Sequence, residues 1–176
     1  MNTELRKLSA GDGMDVYAML QEIPKDENGF INGGNGLSYG DFKAWLVKSE
    51  NTANGKDLES WMVSQDIYWL YADKTPVGFG KLRCHLTEKL REDGGHIGYV
   101  VRPSCRGKGY GKILLKQLVE KASEKEIGKL LLTVENHNHA SIAVALANGG
   151  VVERVSGLKH YIWIDSCKPS TTDKEA

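Results

Sequence analysis

The spacing of hydrophobic and polar positions along the chain predicts a succession of helices and strands. Apolar residues recur at helical spacing over residues 12–23 and 109–125, and more weakly after Ser38, where Asp41 three positions later completes a capping pair. A short helix is also predicted at residues 140–147. Alternating or continuously apolar runs predict strands at residues 4–8, 67–72, 77–85, 96–101, 130–134, 151–155 and 159–164.

The segments between these elements are polar and rich in glycine. Residues 25–37, 50–60 and 87–95 are predicted to be loops, and residues 73–76 a turn. The order strand, helix, strand over residues 95–134 predicts a βαβ unit with two parallel strands. The whole pattern predicts one α/β (α+β) domain over residues 1–165, with a mixed sheet of about seven strands and flanking helices. Residues 166–176 are predicted to form a disordered polar tail.

Composition narrows the class of protein. A chain of 176 residues is long enough to bury a hydrophobic core. Lys plus Arg and Asp plus Glu both number 23, so no overall charge favours nucleic acid or an anionic membrane. No apolar run could span a bilayer, and the polar N-terminus does not resemble a signal peptide. Three widely spaced cysteines form no metal-ligand pattern, so we predict a reduced, cytoplasmic protein that needs no metal.

The most informative segment is the junction between the strand that ends at Val101 and the helix that follows Gly109. A basic, glycine-rich turn joins them, and such a turn presents backbone N–H groups at the positive end of a helix. The junction therefore predicts a phosphate-binding loop, with a solvated basic surface turn as the alternative. A Walker A loop does not fit, because Ile113 stands where Ser or Thr is needed. A dinucleotide fingerprint does not fit, because glycines 107, 109 and 111 are wrongly spaced.

Arg106, Gly109 and Gly111, preceded by Val101-Arg102-Pro103, resemble the acyl-CoA pyrophosphate loop of the GNAT superfamily of N-acetyltransferases. The order of elements is also similar to that of GNAT enzymes over residues 5–164. The stretch 94–99, followed by the loop, by Asn138-x-x-Ser141 and by residues 148–150, is similar to a bacterial subgroup of uncharacterised predicted acetyltransferases. The resemblance implies a splayed pair of parallel strands at the acyl-CoA site and acetyl-CoA as co-substrate. It implies that acetyl-CoA is bound by Tyr99, Val100, Val101, Arg106, Gly107, Lys108, Gly109, Tyr110, Gly111, Lys112, Asn138 and Ser141. For Asn138, a helix-capping role is the alternative, and both roles are compatible.

Two residues are candidates for the base that takes the amine proton. The resemblance places His96 where many GNAT enzymes carry a carboxylate base, and the ordinary pKa of histidine suits this role. A structural histidine at the start of a strand is the alternative. Glu135 follows the strand at residues 130–134 and is the second candidate, with an exposed strand-end carboxylate as its alternative.

The acid that protonates the departing thiolate is less clear. Many GNAT enzymes use a Tyr on the helix after the Asn, but alignment from Asn138 places Ala145 there. Tyr99, Tyr110 and Tyr161 are the remaining phenols of the region. Tyr161, on a late strand, is the predicted catalytic phenol, and a half-buried strand aromatic is the alternative.

The acceptor side is predicted from three residues. Arg83 and His85 lie on one predicted strand, and Arg83 could hold an acceptor carboxylate or pair with a carboxylate on the sheet surface. Tyr39 ends the glycine-rich segment 28–39, which is long enough to be a lid or is simply flexible. The predicted acceptor is a small-molecule primary amine, and the protein a monomer or homodimer. Protein or peptide N-acetylation and a non-catalytic acyl-CoA sensor are the alternatives.

Overall fold

The structure is a computed structural model that describes residues 2–167. In chain order the strands are β1 (Thr3–Lys7), β2 (Asp26–Glu27), β3 (Phe30–Ile31), β4 (Gln65–Ala72), β5 (Thr75–Arg83), β6 (Ile97–Val101), β7 (Lys129–Glu135), β8 (Val151–Val155) and β9 (Lys159–Asp165). The helices are α1 (Met14–Glu22), α2 (Tyr39–Ala53), α3 (Glu88–Glu92), α4 (Tyr110–Glu124) and α5 (His139–Ala147).

Two antiparallel sheets meet at the strand pair β6 and β7. The strand orders are β1-β4-β5-β6 in one sheet and β7-β9-β8 in the other. Strand β6 leads through α4 into β7, so the two strands run in the same direction. They touch just before β6 begins, where the His96 N–H donates to the Leu131 carbonyl at 2.8 Å, and then they diverge. The predicted α/β domain with a splayed strand pair is confirmed.

Helices cover both faces of the sheets and divide the core in two. Helices α4 and α5 pack on one face, whereas α1 and α2 pack on the other, against the aromatic residues Trp69 and Phe79. Two glycines of β5 allow α4 to lie close to the sheet. A Cβ at Gly78 would come within 2.9 Å of Leu114, and one at Gly80 within 2.8 Å of Leu118. The start of α4 is therefore held firmly beside the end of β6.

Some element boundaries differ from the predictions. The predicted loop 25–37 contains the β2–β3 hairpin, whose strands are too short to show alternation. The predicted loop 87–95 contains α3, which Thr87 caps by accepting a hydrogen bond from the Leu90 N–H at 3.2 Å. Ser38 caps α2 as predicted, with the Asp41 N–H donating to its hydroxyl at 3.1 Å. Most of the predicted tail, residues 168–176, lies outside the described residues.

Candidate active site

The glycine-rich junction forms an open loop between β6 and α4. After a 3-10 turn at Pro103–Cys105, the backbone adopts positive φ at Gly107 (+75°) and at Gly109 (+80°), which immediately precedes α4. Among residues 2–167, no side chain caps this helix, and helix geometry provides no intrahelical acceptor for the N–H groups of a first turn. A Cβ at Gly107 or Gly109 would meet nothing within 4 Å, so the backbone of the loop is open to a ligand.

A cavity of about 410 Å³, here called the loop cavity, lies between this loop and α5. All of the residues predicted to bind acyl-CoA line it, except Lys108. Gly111 forms part of its wall, since a Cβ there would lie 3.6 Å from Val144 and 3.7 Å from Val101. Arg106 crosses its edge, where Nε donates to the Val101 carbonyl at 3.1 Å and the guanidinium pairs with Glu27 at 2.6 Å. The loop cavity therefore combines backbone donors, basic side chains and an apolar wall.

A second cavity of about 150 Å³, the hairpin cavity, lies on the opposite face of the sheets beneath the β2–β3 hairpin. Its lining comes from the hairpin, from β5, from the start of β6 and from the end of β7. The two cavities share five lining residues, which mark the gap between β6 and β7: Glu27, Asn28, Tyr99, Asn138 and Ser141. A ligand bound in one cavity can thus reach a ligand bound in the other through this gap.

Tyr99 stands in the gap and lines both cavities. Its phenol oxygen accepts a hydrogen bond from the Ser141 hydroxyl at 3.1 Å. Asn138 caps α5 by accepting from the Ser141 N–H at 3.2 Å, so it also sets the position of this serine. Burial raises the pKa of Tyr99 to about 12, because it outweighs the opposing hydrogen bond from Ser141. The phenol is therefore protonated at neutral pH.

Glu135, at the end of β7, lines the hairpin cavity. One carboxylate oxygen lies 3.2 Å from the Nε2 of His137, which also contacts the amide oxygen of Asn28 at 3.0 Å. The other would lie 3.5 Å from a Cβ at Gly29, so the hairpin approaches the carboxylate closely. Glu135 thus lies in the hairpin cavity, with the exposed ring of His137 beside it.

His96 does not line either cavity, which does not support its predicted role as the base. The residue is buried, and its Nδ1 accepts a hydrogen bond from the Leu131 N–H at 2.9 Å. Burial, together with the charges of Arg91 and Arg83, lowers the pKa of His96 to about 4. A neutral ring that bridges two strands is typical of a structural histidine, the alternative interpretation of the sequence.

Tyr161 likewise lies outside both cavities, which argues against its predicted catalytic role. Its hydroxyl donates to the Glu92 carbonyl of α3 at 3.1 Å, and the Arg154 guanidinium lies 3.5 Å from the centre of its ring. These contacts join α3 to the β8–β9 pair. Tyr161 is a buried strand aromatic.

Of the three predicted acceptor residues, only Arg83 lines the hairpin cavity. His85 is exposed beyond the end of β5, and Tyr39 packs edge-on against Tyr17 with ring centroids 5.4 Å apart. The sequence analysis missed Lys81, which also lines the hairpin cavity. Strand alternation from Arg83 would have placed it there, because residues two apart on a strand share a face.

Among residues 2–167, no group of three or more His, Cys, Asp or Glu side chains is placed to hold a metal ion. Over the same range, no helix is long and apolar enough to cross a membrane.

The comparisons with known proteins assign this arrangement of splayed strands and glycine-rich loop to one family. Residues 38–149 match the model of the acetyltransferase (GNAT) family, and because this match spans more than half of the chain, the chain belongs to that family. No curated protein sequence matches the chain.

Solved structures share the fold at low sequence identity. A GNAT-family acetyltransferase from Streptococcus pneumoniae is 15% identical, with a TM-score of 0.64 over 93% of this chain and 99% of that one. The Campylobacter jejuni N-acetyltransferase PseH, in complex with acetyl coenzyme A, is 14% identical, with a TM-score of 0.59 over the same shares. Mutant forms of the Vibrio cholerae spermidine/spermine N-acetyltransferase SpeG are 15% identical, with a TM-score of 0.61 over 94% and 95%.

Proposed function

We propose that this protein transfers the acetyl group of acetyl-CoA directly to the primary amine of a small molecule, with both substrates bound at once. The observation that carries this proposal is the pair of cavities on opposite faces of the sheets, which meet in the gap at Tyr99. A donor in the loop cavity and an acceptor in the hairpin cavity would bring their reacting ends together there, which is the main requirement of direct transfer.

The loop cavity is suited to acetyl-CoA. The N–H groups at the start of α4, with Arg106 and Lys112 beside them, would hold the pyrophosphate. The diverging end of β6, from Tyr99 to Val101, leaves backbone groups in the gap to which the pantetheine arm can pair as an added strand. PseH, which shares this fold, has been solved with acetyl coenzyme A.

Glu135 is the proposed base. Attack of the neutral amine on the thioester carbon forms a C–N bond, and collapse of the adduct breaks the C–S bond. The nitrogen must lose one proton in this sequence, and the Glu135 carboxylate lines the cavity in which the amine would lie.

Tyr99 is the proposed acid that returns a proton to the departing thiolate. It is the tyrosine that lines both cavities, whereas the position usual for this acid in the family is the buried Ala145. The Ser141 hydroxyl donates to the phenol oxygen, so it orients the phenol and would stabilise the phenolate that forms.

A small acceptor fits the hairpin cavity better than a polymer does. Its volume of about 150 Å³ is enclosed by the hairpin, in which the buried Phe30 packs against Phe79 with ring centroids 4.9 Å apart. SpeG, with the same fold, is named as an enzyme that acetylates the small amines spermidine and spermine.

The test is release of CoA thiol from acetyl-CoA in the presence of a panel of amines, with the products identified by mass spectrometry. Glu135→Gln should lower kcat by about 10²-fold or more, and Glu120→Gln on the exposed face of α4 is the matched control. Acetylation of peptides but not of small amines would support the peptide alternative. Binding of acetyl-CoA without transfer to any amine would support a sensor and contradict the proposal.

A further inference from the structure

The hairpin cavity contains two cationic side chains from one strand, β5. Lys81 and Arg83 lie two residues apart on β5, line the cavity together and are half-buried. In the part of the chain that the structure describes, neither forms an ion pair. Lys81 donates to the Ile31 carbonyl, and the Arg83 guanidinium donates to the carbonyls of residues 94 and 95 at 3.2 and 3.1 Å.

Two of the three carboxylates that line the same cavity form ion pairs with a lysine or arginine, Glu27 with Arg106 at 2.6 Å and Asp93 with Lys159. The third, Glu135, contacts the ring of His137 at 3.2 Å and brings a single negative charge against the two positive charges of Lys81 and Arg83. The charge left uncompensated within the cavity is therefore positive.

This uncompensated charge carries a free-energy cost that a bound anion would remove. Burial, together with the nearby charge of Arg83, lowers the pKa of Lys81 to about 8. Burial also lowers the pKa of Arg83, with Asp93 acting in the opposite direction.

The space for an anion is the hairpin cavity itself, and the residue opposite Lys81 on the neighbouring strand is a glycine. Gly98 pairs with Lys81 across β5 and β6, and it places no side chain over the lysine. A Cβ at Gly98 would come within 3.3 Å of the Phe30 ring, so the hairpin packs closely over this glycine. The Lys81 ammonium lies 4.5 Å from the centre of the Phe30 ring, and it has three N–H donors, of which the Ile31 carbonyl uses one.

We propose that Lys81 and Arg83 bind the carboxylate of an acceptor that carries both a primary amine and a carboxylate, as an amino acid does. The inference rests on the proposed function and adds the class of acceptor. A planar guanidinium beside a compact ammonium is well suited to a carboxylate. With its carboxylate held at β5, the acceptor directs its amine across the cavity toward Glu135 and the gap at Tyr99.

The test compares acceptors that differ only in the anionic group. Acetyl transfer is measured for a set of amino acids, for the corresponding carboxamides, for the decarboxylated amines and for aminoalkyl phosphates. The amino acids should have kcat/KM values at least about tenfold above those of the carboxamides and amines, because loss of a charge-assisted hydrogen bond costs this much or more. Aminoalkyl phosphates that exceed the amino acids would show that the anion is not a carboxylate.

Variants then locate the anion site. Lys81→Met and Arg83→Met should raise the KM for amino acids about tenfold or more and leave the carboxamides little changed, whereas Arg83→Lys should retain part of the preference. Lys74→Met, on the exposed turn of the same β4–β5 hairpin, is the control. A Lys81→Met variant that lowers kcat equally for every acceptor would make Lys81 a general base and overturn the assignment.

The failure of this inference is distinguishable from that of the proposed function. Transfer to amines with no preference for a carboxylate overturns the inference alone. Absence of transfer to any amine overturns both. Calorimetric titration of CoA-loaded protein with N-acetyl amino acids measures binding without turnover. Equal affinity in wild type, Lys81→Met and Arg83→Met would contradict the proposed carboxylate site.

Discussion

The ring Nδ1 of His96 accepts a hydrogen bond from the backbone N–H of Leu131 at 2.9 Å, while the His96 N–H donates to the Leu131 carbonyl at 2.8 Å. One residue therefore joins the two sheets at the point where β6 and β7 begin to diverge. Beyond this junction the strands separate and the gap that contains Tyr99 opens. The shape of the candidate active site thus depends on a contact outside it.

His96→Leu should lower the free energy of unfolding by about 1–3 kcal/mol, because the buried Leu131 N–H loses its acceptor. His96→Asn should lose less, since its amide oxygen lies near the position of Nδ1. Urea unfolding of the two variants measures the difference. Unchanged stability in His96→Leu together with a loss of kcat would instead support His96 as the general base.

The same histidine should make stability depend on pH. Its pKa is about 4 in the folded chain and about 6.5 in an unfolded chain, so the unfolded state binds more protons between these values. Its contribution to stability is therefore complete above pH 6.5 and falls as the pH drops toward 4. His96→Leu should flatten the unfolding free energy across this window, and a slope equal to that of wild type would be inconsistent with the assignment.

Glu22 should make stability depend on pH in a lower pH window. It contacts Arg102 and Ser104, at the turn before the glycine-rich loop. Burial opposes its ionisation, but hydrogen bonds from the Ser104 N–H and the Arg102 guanidinium outweigh this and lower the pKa of Glu22 to about 2. Because the pKa is depressed, the stabilisation is present above about pH 4.5 and is lost as the pH falls toward 2.

Glu22→Gln should therefore unfold about 1–3 kcal/mol more easily at neutral pH and lose less stability in acid than wild type does. Denaturant titrations at pH 7 and pH 3 provide the comparison. Equal losses in both proteins between these values would contradict the prediction.

Gly109→Val should weaken CoA binding about tenfold or more, because the side chain would cover loop backbone that now faces the cavity. Calorimetric titration with CoA measures this. Gly149→Val is the matched control, since Gly149 has a similar φ of +82° and lies outside both cavities. Arg106→Ala should weaken binding less, because the N–H groups of the loop remain. Unchanged affinity in Gly109→Val would show that the loop does not bind the pyrophosphate.

Local patterns in the sequence predict the fold and the glycine-rich loop between β6 and α4. Contacts between residues far apart in the sequence decide which side chains lie in the gap. The junction from Val101 to Gly111 is contiguous, so its glycines and basic residues were readable in order. His96 faces Leu131, 35 positions away, and the start of a strand gives no sign of which neighbour its side chain will meet. The sequence predicts a loop where the structure has the β2–β3 hairpin, for the same reason. Phe30 of the hairpin packs against Phe79, which lies far away in the sequence.

Tyr99→Phe should lower kcat by about 10²-fold or more with little change in CoA affinity, because it removes the proposed proton donor and little else. Ser141→Ala should have a smaller effect in the same direction. Tyr161→Phe is the control, as its hydroxyl bonds only to Glu92 among the described residues and lies outside both cavities. Steady-state kinetics of the three variants test this, and equal kcat in Tyr99→Phe and wild type would exclude Tyr99 as the acid.

The most direct test of the central claim is a crystal structure with CoA and an amine-bearing acceptor analogue. The account predicts the pyrophosphate on the loop from Arg106 to Gly111 and the pantetheine arm in the gap between β6 and β7. It also predicts the sulfur within about 4 Å of the Tyr99 hydroxyl and the acceptor amine on the far side, in the hairpin cavity near Glu135. A structure in which the sulfur lies away from the gap, or in which both ligands share one cavity, would contradict it.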